Sequence, residues 1–176
     1  YPTFGYSSGS GFNFTLPYYF NLAPNYDFTF TPKYISNRGF LLSGLFRYLT
    51  KKNNGFLSLS VIPYDREFNY FQETAASDYP NLPIYQRQLQ NDSTTRAYFA
   101  FQNNTIFNTH WSSAINLNYV TDDYYFQSFG GNTQLTDTDQ LYNGANIEYN
   151  SEHWHFLGLL QHYEILHPIN EAPILD

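Results

Sequence analysis

Strict alternation of apolar and polar side chains is the feature that most constrains how this chain folds. In residues 26–34, YDFTFTPKY, apolar residues occupy every second position and polar residues lie between them. Residues 111–120, WSSAINLNYV, repeat the pattern, and so do the runs 55–62, 96–102 and 144–149. Successive side chains of a β-strand point to opposite faces of its sheet, so each run predicts a strand with one apolar face. The sequence therefore predicts an all-β, antiparallel fold built from hairpins, and no helix.

The five residues SNRGF, 36–40, predict the best-defined hairpin. A three-residue loop, 37–39, with Gly39 in the left-handed conformation of a bulge, is typical of such connections. This loop sets the pairing further along both strands: Ser36 with Phe40, Phe30 with Phe46, Thr29 with Arg47, and Phe28 with Tyr48. In that register Arg47 lies diagonal to Asp27, within reach of an ion pair.

The length of the connections alternates in the second half of the chain. Short turns near residues 53–55, 108–109 and 151–152 alternate with long polar connections at about 65–92 and 121–139. Outer-membrane barrels combine short periplasmic turns with long extracellular loops. Runs of about 9–11 residues also match the length of tilted strands that cross a bilayer.

Composition supports a sheet with one face in lipid. Aromatic residues make up 21% of the 176 residues and charged residues only 13%, whereas about 25% charged residues is usual in soluble domains. Aromatic clusters at strand ends predict the girdles that such barrels place at the membrane interfaces: residues 18–20, residues 124–126, Trp111 and Trp154. We interpret the pattern as part of a transmembrane outer-membrane β-barrel, with a soluble β-sandwich as the alternative.

Other function classes are disfavoured. The formal net charge of −7 argues against nucleic acid as a partner, because binding to phosphates needs a basic surface. The chain has no cysteine, which excludes disulfides and thiolate metal sites. His153 and His155 share one side of a strand but lack a convincing third metal ligand. We expect no catalytic residues, no metal and no cofactor, and therefore not an enzyme.

The first fifty residues contain a distinctive series of motifs, namely a Tyr-Pro strand, the segment PYYFNLAPN, the strand DFTFTP, an Arg-Gly turn and the strand FRYL: Tyr1-Pro2, 17–25, 27–32, Arg38-Gly39 and 46–49. This series resembles the start of the barrel in the LptD family of lipopolysaccharide-assembly proteins. The resemblance continues more sparsely in NDSTTRAYF, 91–99, and EAPILD, 171–176. It implies that residues 1–176 are the N-terminal segment, about nine strands, of a very large barrel. The periplasmic domain, the closing strands and the cysteines that join the two domains would then lie outside this segment.

The resemblance also implies a function in lipopolysaccharide transport and assembly. In that family the first and last barrel strands meet at a lateral gate, through which lipopolysaccharide enters the outer leaflet of a Gram-negative outer membrane. Prolines weaken this seam, and Pro2 and Pro17 match their positions, so both are predicted gate residues. The implied partners are an LptE-type lipoprotein plug, an LptA-type periplasmic bridge that binds the missing domain, lipopolysaccharide and membrane lipids.

Two cations lie on the polar side of the strands close to the predicted gate. Lys33 and Arg47 are candidate contacts for lipopolysaccharide phosphates, since both side chains bind phosphate oxygens. Local pairing of Arg47 with Asp27 is the alternative. Two other functions stay open at this point: a passive porin-like outer-membrane barrel, and a secreted, aromatic-rich, carbohydrate-binding β-sandwich.

Overall fold

The computed structural model describes residues 1–129 and 140–169, which contain ten strands and three helices. The strands are β1 (Thr3–Ser7), β2 (Gly11–Thr15), β3 (Tyr18–Ala23), β4 (Tyr26–Ile35), β5 (Gly39–Leu49), β6 (Asn53–Ile62), β7 (Arg96–Ile106), β8 (Trp111–Val120), β9 (Gln140–Asn150) and β10 (His155–Ile165). The helices are α1 (Arg66–Asp78), α2 (Pro83–Asn91) and α3 (Tyr125–Phe129). The motif EAPILD and part of the predicted connection 121–139 lie outside the described residues.

All ten strands belong to one antiparallel sheet, which confirms the predicted fold class. Its order is β1-β2-β4-β5-β6-β7-β8-β9-β10, and β3 also pairs with β4. β2 and β3 pair with β4 in the same register, with Asn13 opposite Ile35 and Tyr18 opposite Phe30. They are two halves of one strand, interrupted at Pro17. The sheet therefore has nine strand positions, in agreement with the predicted number.

The hairpin of β4 and β5 closes two residues away from the predicted register. Ile35 pairs with Gly39 and Phe28 with Phe46, around a loop formed by residues 36–38. Ser36 is drawn out of this hairpin because its N–H donates to the Phe12 carbonyl on β2 (2.8 Å), and its Oγ accepts from the Phe12 N–H (3.0 Å). Gly39 has the expected positive φ, +136°. A shift of two residues keeps every side chain on its predicted face.

The two faces of the sheet differ as predicted. On one, the apolar face, the cross-strand pairs join apolar residues: Leu57 with Phe101, Leu59 with Phe99, Phe101 with Leu117, and Phe99 with Tyr119. Leu59 and Tyr119 remain 47% and 55% exposed, which is far more than a core buried under a second sheet would allow. The polar face is concave. Residues from β1, β2, β4, β5, β6, β7 and α3 line a cavity of about 630 Å³ on that side.

The two ends of the sheet carry different connections, as predicted. The turns 24–25, 50–52, 107–110 and 151–154 lie at one end, called here the short-turn end. The long connections 63–95 and 121–139 leave and re-enter the sheet at the opposite, long-connection end, where the short turns 8–10 and 36–38 also lie.

The expectation of no helix was wrong, because the first long connection holds α1 and α2. Local signals favour both helices: Asp65 caps α1 by accepting from the Phe68 N–H (3.2 Å), and α2 begins with Pro83. No helix found in residues 1–129 and 140–169 is long and apolar enough to cross a membrane.

The aromatic cluster at residues 124–126 was wrongly predicted to form an interfacial girdle. Tyr124, Tyr125 and Phe126 are all buried, because α3 folds back over the polar face and packs on β7. The prediction fits Trp111 better. Its ring lies 5.0 Å from that of Tyr149 at the short-turn end, where Trp154 is exposed as well.

Gly55 provides space for a contact that joins three strands. The Tyr48 hydroxyl on β5 crosses β6 at this glycine and donates to Asn103 Oδ1 on β7 (2.5 Å). A Cβ atom on Gly55 would lie 2.0 Å from the Gln102 carbonyl oxygen and 2.8 Å from the Tyr48 hydroxyl oxygen. Since the nearer clash is with backbone, a side chain here must distort the sheet.

Replacing Gly55 by alanine is expected to destabilise the full-length protein by about 1–3 kcal/mol, the usual cost of overpacking. The temperature at which the folded band disappears in semi-native electrophoresis should fall. Gly9→Ala is the matched control, because a Cβ atom there would meet nothing within 4 Å. Equal melting of the two variants would contradict the assigned contact.

Candidate functional site

Both predicted gate residues lie at the same edge of the sheet. β1 pairs with β2 from Thr3, opposite Thr15, to Ser7, opposite Gly11. Extending this register by one residue places Pro2 opposite Leu16, directly beside Pro17. The ladder between β1 and β2 therefore ends next to Pro17, which separates β2 from β3.

Pro17 interrupts hydrogen bonding without breaking the strand. The Leu16 N–H still donates to the Pro32 carbonyl (3.1 Å), and pairing with β4 resumes at Tyr18. Proline has no N–H, so one donor is missing at the interruption. After Pro17, β3 pairs with β4 and with no other described strand, and its Tyr19 and Leu22 side chains are exposed. An edge of this kind is open to pairing with another strand.

The opposite end of the strand order is a second open edge. β10 pairs along its whole length with β9, and no other described strand lies beside it. The leucines on this edge strand, Leu157, Leu159 and Leu160, are exposed. Both edges of the sheet are therefore unpaired among the described strands, and Pro2 and Pro17 lie at one of them.

The structure separates the two predicted phosphate contacts. Lys33 and Arg47 are both on the polar face, but Arg47 lies opposite Asp27, six residues from Lys33 along β4 or roughly 20 Å. Arg47 donates from Nε and Nη2 to the two Asp27 carboxylate oxygens, at 2.9 Å each. This is the predicted ion pair, although directly opposite rather than diagonal.

Lys33 is the cation that stays available on the polar face. It lines the cavity and makes no hydrogen bond or ion pair with a described residue. Most of its neighbours in the cavity wall carry hydroxyl or amide groups: Thr3, Ser7, Ser10, Asn13, Thr15, Thr31, Ser43, Ser58 and Ser60. Such a surface favours polar, hydrated ligands.

A buried ion cluster joins the two long connections and was missed from the sequence. Arg96 begins β7, and its side chain is 0% exposed. Its Nε and Nη2 donate to the Asp122 carboxylate at 2.9 and 2.8 Å. Its Nη1 donates to Asp65 Oδ2 (2.8 Å) and to Ser128 Oγ (2.9 Å). Buried charges persist when they are paired and hydrogen-bonded in this way.

A second arginine and three aromatic rings complete the cluster, which we call the Arg96 cluster. Arg38 donates from Nη1 to the same Asp65 oxygen (2.7 Å) and approaches Glu67 with Nε (2.9 Å). The Arg96 guanidinium carbon lies over three rings, at 4.3, 5.1 and 5.7 Å from their centroids: Phe68, Phe129 and Tyr125. Cation–π contacts of this kind are strongest where water is excluded.

Two sequence signals point to this cluster in retrospect. Arg96 is the last Lys or Arg of the chain and belongs to the NDSTTRAYF motif, while Asp122 lies two residues after the apolar end of β8. Their pairing joins positions that are far apart in sequence, which alternation alone does not reveal.

Asp92, at the end of α2, has a perturbed acidity. Burial, reinforced by the charges of Asp122 and Asp123 and opposed by that of Arg96, raises the pKa of Asp92 from 3.8 to about 6. The ionised side chain therefore disfavours the folded connection. This penalty is fully present above about pH 6, shrinks as the pH falls through 6, and is gone below 3.8.

Hydrogen exchange of α2 should report this titration in the full-length protein. After correction for the intrinsic pH dependence of exchange, α2 is expected to be better protected at pH 5 than at pH 7.5. Asp92→Asn should remove the difference and protect α2 equally at both pH values. A wild-type protein with equal protection at the two pH values would show that Asp92 does not carry the effect.

No group of three or more His, Asp or Glu residues that could hold a metal ion occurs in the described part of the chain. His155, one of the two histidines considered for a metal site, instead pairs with Glu148 through Nε2 (3.0 Å).

These features together define a class of protein. A single antiparallel sheet with one apolar and one polar face, only short turns at one end, both long connections at the other, and two edges at which no further described strand pairs is a segment of a large β-barrel.

Comparison with known proteins gives the family. A family model described as LptD, LPS transport system D, matches residues 94–174. The LPS-assembly protein LptD of Coxiella burnetii is 42% identical over 99% of this chain and 21% of its own length. The proteins of the same name from Legionella pneumophila (strain Lens) and Nitrosococcus oceani are 38% and 32% identical, over 98% and 94% of this chain and 20% and 19% of their own lengths. The chain belongs to the LptD family, and it spans about a fifth of the length of these curated relatives.

Proposed function

We propose that this chain supplies the first strands of an outer-membrane barrel that transports and assembles lipopolysaccharide in a Gram-negative bacterium. The proline-marked open edge of a two-faced sheet, in a chain of this family, is the observation that carries the proposal. The relatives are named as LPS-assembly proteins, and the same substrate is proposed here.

The two faces and two ends suggest how the segment lies in the membrane. The apolar face contacts lipid, and the polar face lines a water-filled lumen. The short-turn end faces the periplasm, and the long connections lie outside the cell. An LptE-type lipoprotein fits this arrangement as a plug against the polar face. An LptA-type bridge would join through a periplasmic domain outside the present segment.

The edge formed by β1, β2 and β3 is proposed as one side of a lateral gate. In lipid, each unpaired backbone group costs several kcal/mol, so the open edges must pair with strands of the remaining chain. Pro2 and Pro17 each remove one donor from that region, and a hydrogen bond is worth about 0.5–1.5 kcal/mol. The seam is then the weakest ladder of the barrel and the one that opens sideways.

Lys33 is proposed to contact phosphate groups of the passing glycolipid, since it lies uncommitted in a wall of hydroxyl and amide groups. Arg47 stays in its pair with Asp27, which serves the structure of the hairpin. No bond of the substrate is made or broken in this function, so the proposal includes no catalytic residue and no cofactor.

Depletion of the full-length protein from cells tests the function. Newly made, pulse-labelled lipopolysaccharide is expected to stop reaching the cell surface, and re-expression should restore it. A passive porin would instead change the uptake of small solutes and leave lipopolysaccharide delivery intact. A secreted carbohydrate-binding protein would stay soluble without detergent.

A further inference from the structure

The two long connections meet at one side chain. The first connection supplies Asp65, the N-cap of α1, and the second supplies Asp122 and Ser128. Arg96 lies between them and donates to all three. Its guanidinium also lies over Phe68 of α1 and over Phe129 of α3. Each connection therefore binds the same buried cation through an anion and an aromatic ring.

The described part of the second connection, residues 121–129, lies against the polar face of the sheet. Tyr125 and Phe126 pack on Tyr98 of β7, with ring centroids 5.9 and 5.6 Å apart. Both residues, together with Ser128 and Phe129, form part of the wall of the 630 Å³ cavity. The helix α3 thus covers the polar cavity at the long-connection end.

The first connection makes its apolar contacts with the second, while Asp65 and Arg66 form hydrogen bonds with the β4–β5 turn. Phe68 and Ala75 of α1 and Leu89 of α2 form a buried cluster with Tyr124, which directly precedes α3. The Tyr124 ring lies 5.8 Å from Phe68 and 5.3 Å from Phe71. This apolar contact lies beside the ionic contacts of Arg96.

We infer that Arg96 clamps the two connections into one unit over the end of the polar cavity, so that neither connection moves without the other. Lifting α3 alone would take Asp122 and Ser128 away from a cation that has no access to water. Lifting α1 alone would remove Asp65 from both Arg96 and Arg38. Each separate movement leaves a charge unpaired while the other connection still covers it, whereas joint movement admits water to both carboxylates and to Arg96, which stays with β7.

The functional meaning of the clamp depends on the proposed transport function. If the polar face lines the lumen, the clamped unit keeps its outer end closed, and polar parts of the substrate leave through the side. The clamp itself is independent of that function and can be tested without it.

Hydrogen exchange in the detergent-solubilised full-length protein tests the clamp. Asp122→Asn weakens the contact of the second connection with Arg96. It is expected to raise the exchange rates of α1 amides, in the first connection, by about tenfold, which is the signature of a shared opening. Asp123→Asn is the matched control, since Asp123 carries the same charge and accepts from the His167 N–H (3.1 Å), outside the Arg96 cluster. The control should change α1 exchange by less than about twofold.

Faster exchange confined to residues 122–129 in Asp122→Asn, with α1 unchanged, would overturn the clamp. If Asp122→Asn fails to fold, Ser128→Ala replaces it, because it removes only one hydrogen bond from Arg96, to an acceptor that carries no charge. A smaller rise in α1 exchange is then expected, and unchanged α1 exchange overturns the inference. Lipopolysaccharide delivery is not measured in this experiment, so its failure leaves the proposed function standing.

Discussion

Full-length protein in which both Pro2 and Pro17 are replaced by threonine is expected to deliver lipopolysaccharide to the cell surface about tenfold more slowly. The replacements restore two backbone N–H donors beside the end of β1, where the register places Pro2 next to Pro17. Two hydrogen bonds of about 0.5–1.5 kcal/mol each raise the cost of opening the seam. Each 1.36 kcal/mol of barrier slows a step about tenfold. Threonine also favours an extended backbone, so β1 can lengthen along β3.

The measurement is the rate at which pulse-labelled lipopolysaccharide becomes accessible to a probe that cannot cross the outer membrane. Pro63→Thr serves as the control, because Pro63 follows β6 at the start of the first long connection and is not part of the seam. It should export at the wild-type rate. A double variant that folds, inserts and exports as fast as the wild type would remove Pro2 and Pro17 from the gate.

Replacing Arg96 by methionine is expected to lower the free energy of unfolding of the full-length protein by about 3–5 kcal/mol, the usual cost of removing one partner of a buried ion pair. Methionine fills a similar volume but leaves the Asp122 carboxylate, 0% exposed, without its cation, and leaves the equally buried Asp65 carboxylate with Arg38 alone. Urea unfolding of the full-length protein in detergent, followed by tryptophan fluorescence, measures the change.

Arg47→Met is the matched control for Arg96→Met. Arg47 also makes a bidentate ion pair, with Asp27, but its side chain is 55% exposed. Exposed pairs contribute little because water screens and replaces them. The control should therefore unfold close to the wild-type urea concentration. Equal stability of the two variants would contradict the structural role of the Arg96 cluster.

The faces of the strands could be predicted from the sequence because the signal is local. Every second side chain of a strand shares a face, so Leu57 and Leu59 identify the apolar face of β6 without knowledge of its neighbours. The lengths of the connections were equally readable, since turns and strands are both local features. Even the wrong register of the β4–β5 hairpin preserved the faces, because the error was two residues.

The features that could not be predicted depend on contacts between distant segments. Ser36 leaves its own hairpin because it bonds to Phe12 on another strand. Residues 124–126 are buried because α3 turns onto β7, although an aromatic cluster at a strand end is typical of a membrane girdle. The Arg96 cluster joins residues from the two long connections, one strand and one hairpin turn, and a period-two pattern carries no information on such pairing. The helices α1 and α2 were missed for a different reason, because their capping signals are local but weaker than the alternation around them.

The predicted site residues also fall into two groups: those whose positions follow from local pattern and strand order, and those whose surroundings depend on distant segments. The position of Pro2 and Pro17 at one edge follows from the order of the strands, and the Asp27–Arg47 pair follows from the hairpin. That Lys33 forms no ion pair with a described residue depends on the cavity wall, to which β1, β2, β4, β5, β6 and β7 all contribute. No single stretch of sequence describes that wall.

The central claim is that the two faces of this sheet meet different solvents, with the apolar face in lipid and the polar face in water. Single cysteines placed at neighbouring positions of the full-length protein in native membranes test it most directly, with any other cysteines of the full chain replaced. Leu59 and Leu117 report on the apolar face, and Ser58 and Asn116 on the polar face. The account predicts that a membrane-impermeant, water-soluble thiol reagent modifies cysteines at positions 58 and 116, while those at 59 and 117 react only with a lipid-soluble reagent. Modification of positions 59 and 117 by the water-soluble reagent as fast as 58 and 116 would contradict it.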